Sequence, residues 1–86
     1  MTHRVHELKI LPEYFTAILE GFKTFEIRQA DRDYRVGDIL HLKEYDASQT
    51  LTYTGRDLYV AVTYILSDYA YVKEGYIVMS IKLTEL

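Results

Sequence analysis

Two-residue alternation of apolar and polar side chains constrains this chain more than any other feature. It is cleanest in YIVMSIKL, where Ile77, Met79, Ile81 and Leu83 fall on one face, the period of a half-buried β-strand. HELKIL, His6 to Leu11, repeats it with Leu8 and Ile10 opposed to Glu7 and Lys9. TFEIRQ sets Phe25 and Ile27 against Thr24, Glu26 and Arg28, with same-face neighbours ~6.6 Å apart along a strand. ILHLKEY predicts a further strand with Leu40 and Leu42 inward, LTYTG a short one, and the apolar run LYVAVTYIL, with Val60 and Val62, a central one. The period changes once. Pro12 pre-sets a first helical turn, Leu11, Phe15, Ile18, Leu19 and Phe22 fall close to a helical stripe, and Gly21 supplies the left-handed residue that ends the helix. QADRDYRVGD, DASQ and SDYAYVKEG read as turns and loops.

About five or six strands and one short helix predict a mainly β, α+β fold. A doubly wound sheet would need more crossover helices than the pattern offers. A small, partly closed β-barrel fits, and closure would protect strand edges that so short a chain has little else to cover. The chain has 86 residues with no break in composition, repeat or linker, so residues 1–86 are read as a single domain with one modest core. There is no cysteine, hence no disulfide framework and no thiolate metal site. MTHRVHELKI lacks the apolar segment of a secretory signal, and no apolar run approaches the ~20 residues that span a bilayer. The expectation is a soluble, cytoplasmic protein without membrane contact.

A formal charge of −3 argues against coating nucleic acid by bulk electrostatics. From Lys23 to Arg35, however, four cations face three acids, whereas the rest of the chain has six against ten. GFKTFEIR, Gly21 to Arg28, gathers an ammonium, a hydroxyl, a carboxylate and a guanidinium. On one reading these are a solvated strand face with a Glu26–Arg28 ion pair worth at most ~1 kcal/mol. On the other, the helix end delivers Lys23, Thr24, Glu26 and Arg28 to one concave edge, able to hold a phosphate or the edge of a nucleobase. Pattern alone leaves both open. Asp31 and Asp33 read as turn formers, while Arg32, Tyr34 and Arg35 of the following loop are candidates to reach a ligand backbone or stack a base. His3, His6 and His41 lack metal-ligand spacing and are expected at the solvated surface, and no metal or other cofactor is expected. Tyr45, Tyr53, Tyr64 and Tyr76 read as barrel wall, and Arg56 as an exposed hairpin-end arginine.

The spacing Gly-x-Lys-x-x-Glu-x-Arg, carried by Gly21, Lys23, Glu26 and Arg28, resembles the signature of the ASCH domains, a branch of the PUA-like superfamily. The strand before it, the Pro-started helix and the later VGDIL also sit where that family has them. HELKILPEYF, GFKTFEIR, DRDYRVGDILHLKEYD, YTGR and GYIVMSI together are similar to a compact, largely uncharacterised ASCH-like branch of bacteria and their phages, over nearly the whole chain. The resemblance implies a PUA-like β-barrel with a cleft at the helix–strand junction that binds RNA or a nucleoside-like ligand. In it, Lys23 and Arg28 would contact phosphate or base acceptors, and Glu26 would accept from an exocyclic amine or hold Arg28. Some ASCH relatives with Lys followed by Thr remove the acetyl group from N4-acetylcytidine. That alternative would make Lys23 the base, Thr24 the nucleophile and Glu74 the acid, with Glu44 behind it. A third alternative is a protein-interaction module without nucleic-acid binding, in which the Lys23 to Arg28 face is structural.

Overall fold

The structure, a computed structural model, describes residues 4–86; His3 lies outside the described residues. The elements run β1 (Val5–Ile10), α1 (Pro12–Leu19), β2 (Phe25–Gln29), β3 (Ile39–Asp46), β4 (Thr52–Leu66) and β5 (Tyr76–Thr84). The strands make one mixed sheet in the order β1-β3-β4-β5-β2. β1 runs parallel to β3, and every other pair is antiparallel. The sheet curls into a half-barrel, and α1 carries the chain from one edge strand, β1, to the other, β2. Among the described residues no helix is long and apolar enough to cross a membrane.

Alternation places the core. Leu8 and Ile10 of β1, Leu40 and Leu42 of β3, Leu58, Val60 and Val62 of β4, and Ile77, Met79 and Ile81 of β5 meet inside, sealed by Phe15 and Ile18 of α1. Burying each such side chain stabilises the fold by about 1.5–3 kcal/mol. The helical stripe is narrower than the pattern predicts, because α1 is only 8 residues long and buries just Phe15 and Ile18, leaving Leu11, Leu19 and Phe22 exposed. Leu83 is likewise exposed, although it stands opposite the buried Val60 in the register.

LTYTG and LYVAVTYIL are not two strands but one of 15 residues. Its continuity depends on a bulge: the β3 partners step from Lys43↔Asp57 to Tyr45↔Tyr53, so Thr54, Gly55 and Arg56 face Glu44 alone. Gly55 takes φ 95° there, a left-handed conformation that costs glycine nothing. A second irregularity in β4 falls between Val62 and Tyr64 and explains why the inward set changes from Val60 and Val62 to Ile65.

Two buried polar centres depart from the sequence expectation. His6 is buried, not solvated, because it occupies an inward position of β1 beside Leu8 and Ile10. Its Nε2 donates to the carboxylate of Asp38 at 2.7 Å, and Asp38 also accepts from the backbone N–H groups of Arg35 and Arg4. Burial works to raise the Asp38 pKa, yet the hydrogen bonds from His6, Arg35 and Arg4 outweigh it and hold the pKa below its ordinary value. One carboxylate thus ties the end of the loop that precedes β3 to the start of β1. Glu44 is the other. The bulge turns Arg56 onto it in a two-point contact at 3.0 and 2.9 Å, Thr54 donates a third hydrogen bond at 2.6 Å, and the guanidinium covers the Phe15 ring at 4.6 Å. Arg56 therefore ties β4 to α1 instead of standing free at a hairpin end.

Candidate functional site

The geometry of GFKTFEIR begins at the end of α1. Gly21 at φ 84° lets its own N–H reach Ile18 O while Phe22 N–H returns to Ala17 O, the paired bonds of a Schellman cap. Lys23 N–H bonds to the same Ala17 carbonyl. The cap therefore fixes the backbone of Lys23 in the turn before β2, with its side chain directed back over the rings of Tyr14 and Phe25.

β2 then alternates in the opposite sense to an ordinary amphipathic strand. Its apolar members Phe25 and Ile27 are 43% and 56% exposed, while Glu26 is 4% exposed. The solvated-face reading of Glu26 is thereby overturned: the carboxylate lies inside, opposite Met79. Withdrawing a carboxylate from water costs several kcal/mol unless it is paired, and here each oxygen has a cation. Lys23 Nζ donates to Oε1 at 2.5 Å, and Arg28 Nε to Oε2 at 2.9 Å.

Arg28 reaches further. Its Nη2 donates to the carbonyl of Lys9 on β1 at 2.8 Å, so one guanidinium spans the gap between the two edges of the sheet. The register explains why that carbonyl is free. In a parallel ladder alternate residues bond one neighbour, and the bond from Ile39 N–H to Arg4 O assigns the even residues of β1 to β3. Val5, Glu7 and Lys9 are left facing the gap. On β2 the bonds of Thr24 O with Ile81 N–H and Ala30 N–H with Gly75 O assign the even residues to β5, leaving Phe25, Ile27 and Gln29. The seam between these edges opens into a cleft of about 910 Å³, whose walls include Lys9, Tyr14, Lys23, Glu26, Arg28 and Tyr34. That size lies within the range of small-molecule sites, roughly 300–1,000 Å³. Four cations (Lys9, Lys23, Arg28, Arg32) and three carboxylates (Glu7, Glu26, Asp31) line it.

Tyr34 contributes a feature the sequence reading did not anticipate. Its ring packs on His6 with centroids 4.7 Å apart and is 8% exposed, so it belongs to the core and is no platform for a base. Its hydroxyl makes no hydrogen bond among the described residues, and none of the described buried side-chain polar atoms lacks a partner, so that oxygen is open to the cleft. Burial, more than the opposing influence of Arg32, pushes its pKa up, and the phenol stays protonated as a donor.

The other sequence candidates divide. Arg32 lines the cleft above Tyr34, and Asp31, expected only to form a turn, lines it too. Arg35 is outside the cleft, paired with Asp33 at 2.9 Å, because its backbone N–H is drawn to Asp38. Thr24 is exposed and absent from the cleft wall, and Lys23 Nζ is bound to Glu26 and to the Phe25 carbonyl rather than to its hydroxyl. Glu74 adjoins Gly75, which pairs with Ala30 at the far end of β2, six residues and roughly 20 Å of strand from Thr24. Glu44, held by Arg56 above all and by Thr54, has its pKa lowered; it is a locked carboxylate, not a proton donor. Among the described residues no cluster of His, Asp and Glu is placed to hold a metal ion.

Fold and cleft together define a small mixed half-barrel domain with a charged seam. The chain belongs to the family described as "Domain of unknown function (DUF3850)", whose match spans residues 5–81 and so takes in β1 through most of β5 and the whole cleft. It is 35% identical over 88 residues to the "Uncharacterized 12.9 kDa protein in GpA 3'region" of Escherichia phage P2, a match covering 100% of this chain and 75% of that protein.

Proposed function

We propose that the protein is an ASCH-type, PUA-like domain that binds RNA or a modified nucleoside in the seam cleft. One observation carries the reading: a buried carboxylate, Glu26, is held between Lys23 and Arg28 in a cleft of about 910 Å³ that is also lined by Tyr34, whose hydroxyl bonds to none of the described residues. Structural burial of a charge needs only a partner. It does not need an open cleft, nor a second donor left without one.

The chemistry suits a nucleobase edge. A carboxylate offers about four lone-pair positions, and two remain on Glu26 after Lys23 and Arg28, enough to accept from an exocyclic amine. Among the described residues nothing accepts from Arg28 Nη1, and Tyr34 adds an O–H, so carbonyl or phosphate acceptors have partners in the same cleft as the amine's acceptor. The amidohydrolase alternative is less well supported, since Thr24 stands outside the cleft with no hydrogen bond from Lys23.

The test is isothermal titration with mononucleosides, N4-acetylcytidine among them, and with short RNAs at two salt concentrations. Binding that Arg28→Ala weakens by roughly ten- to a hundredfold, as expected for a charged hydrogen bond, supports the reading; weaker RNA binding at higher salt adds phosphate contact. Wild-type protein that binds neither nucleoside nor RNA overturns it. Release of cytidine from N4-acetylcytidine would instead favour the enzyme.

A further inference from the structure

The outer face of β1, β3 and β4 carries a second set of basic and aromatic groups that none of the cleft chemistry uses. Lys9 and Lys43 are direct cross-strand partners, which places two cations side by side on neighbouring strands about 4.8 Å apart. Like charges so opposed are destabilising. Elsewhere in this sheet carboxylates relieve such charge, but here they do not. Asp57 stands opposite Lys43 in the register, yet it binds His41 Nε2, and Glu7 also turns to His41. Among the described residues neither Lys9 nor Lys43 makes an ion pair with a carboxylate. Both ammonium groups lie instead over tyrosine rings, Lys9 over Tyr45 at 4.2 Å and Lys43 over Tyr53 at 5.1 Å.

The tyrosines differ in freedom. Tyr45 is pinned by its hydroxyl to Leu51 O and meets Tyr53 edge-on, 5.3 Å between centroids at 77°. Tyr53 is 48% exposed. It is the bulge at Gly55 that sets Tyr53 opposite Tyr45 in place of the residue a regular ladder would supply. The patch is continuous with the cleft, since Lys9 and Tyr53 both line it and the Lys9 carbonyl receives Arg28.

We propose that Lys9, Lys43, Tyr45 and Tyr53 form a second subsite that holds the adjoining nucleotide of a single-stranded RNA, its phosphate at the two ammonium groups and its base against Tyr53. The proposal rests on the reading of the cleft as a nucleobase site, and it identifies the ligand as a strand rather than a free nucleoside. A phosphate supplies the negative charge that the lysine pair lacks, and an exposed ring beside it supplies a sequence-tolerant stacking surface. Arg28 at the seam and Lys9 at the rim then stand in one line from the cleft to the outer face.

The experiment measures anisotropy of a fluorescein-labelled pool of random hexaribonucleotides across about 50 to 200 mM salt, beside titration of unlabelled 5′-mononucleotides. Wild type is expected to bind the hexamers more tightly than the mononucleotides. The Lys9→Gln/Lys43→Gln pair should reduce the slope of log K against log salt by about 0.7, the single-strand value for one phosphate contact, and Lys43→Gln alone by part of that. Tyr53→Ala should weaken hexamer binding by roughly five- to a hundredfold, with Tyr53→Phe restoring most of it. Lys43→Gln should leave mononucleotide binding unchanged. Hexamer affinity and salt slope that are the same in wild type and Lys43→Gln would overturn the subsite while leaving the cleft reading intact. So would hexamers that bind no tighter than mononucleotides. Wild-type protein that binds neither probe removes both.

Discussion

Asp38 shows how much one short side chain can hold. It joins His6, the start of β1 and the loop before β3 through three hydrogen bonds, and its folded-state pKa lies below the ordinary carboxylate value. A lowered pKa means that the contribution to stability is full above the unfolded value, near 3.9, and is lost as pH falls through the folded one. Glu44, held by Arg56, acts in the same direction. Urea denaturation of the wild type is therefore expected to lose midpoint as pH drops below about 4. Asp38→Asn should cost about 1.5–3 kcal/mol at neutral pH and flatten that acid decline. An unaltered acid profile in the variant would show that Asp38 is not among the responsible groups. Neither Asp38 nor its partner was legible in the sequence. HELKIL indicates that His6 shares a face with Leu8 and Ile10, but a histidine at the end of such a face is equally at home in water. The decisive fact, a carboxylate 32 positions away that meets it, comes only from the parallel pairing of β1 with β3.

At the scale of the element, the turn from α1 to β2 is the part most nearly written in the sequence. Proline at the helix start and Gly21 at its end predicted both boundaries, and the cap they form delivers Lys23 to Glu26. Nothing lies within 4 Å of a Cβ built on Gly21, so Gly21→Ala acts through backbone conformation alone, a cost of about 1–2 kcal/mol for an L-residue held at positive φ. The expected outcome is a matching loss in denaturation free energy, together with weaker ligand binding as the Lys23 backbone is released. Full stability in Gly21→Ala would mean that the turn adopts another shape without loss. β2 itself was legible only in part. The period of TFEIRQ separates Phe25 and Ile27 from Glu26 and Arg28 correctly, yet period does not say which face is inside. In a strand at the seam the charged face turns inward, because cations on the preceding turn and on the strand itself neutralise the carboxylate there. The bulge at Gly55 was hidden for a different reason. A glycine between two alternating runs reads as a break, whereas here it bends one strand without ending it.

The whole molecule is a sheet whose two edges approach without joining, and that can be observed in solution. Amide exchange should be slow at His6 and Leu8 and at Glu26 and Arg28, whose N–H groups the registers direct to β3 and β5. It should be fast at Val5, Glu7, Ile27 and Gln29, which face the seam. Uniform protection along both edge strands would indicate a closed barrel and no cleft of this kind. The mainly β class, the single helix and most of the core were legible because alternation reports them directly, and five strands fall within the expected number. Partial closure was expected too, but the place of the seam was not legible, since it depends on curvature and register that no local pattern carries. The seam has one more consequence. β2 presents Phe25 and Ile27 to water beside a row of backbone groups that no neighbouring strand pairs, the arrangement by which one chain's margin templates another's and fibrous aggregates begin. Inward-pointing Lys23, Glu26 and Arg28 oppose such stacking, since a second copy's strand laid along β2 would displace Lys23 from the Phe25 carbonyl and bury charge. The same three side chains thus keep the molecules of a concentrated solution apart, so that removing them together would release self-association as well as ligand.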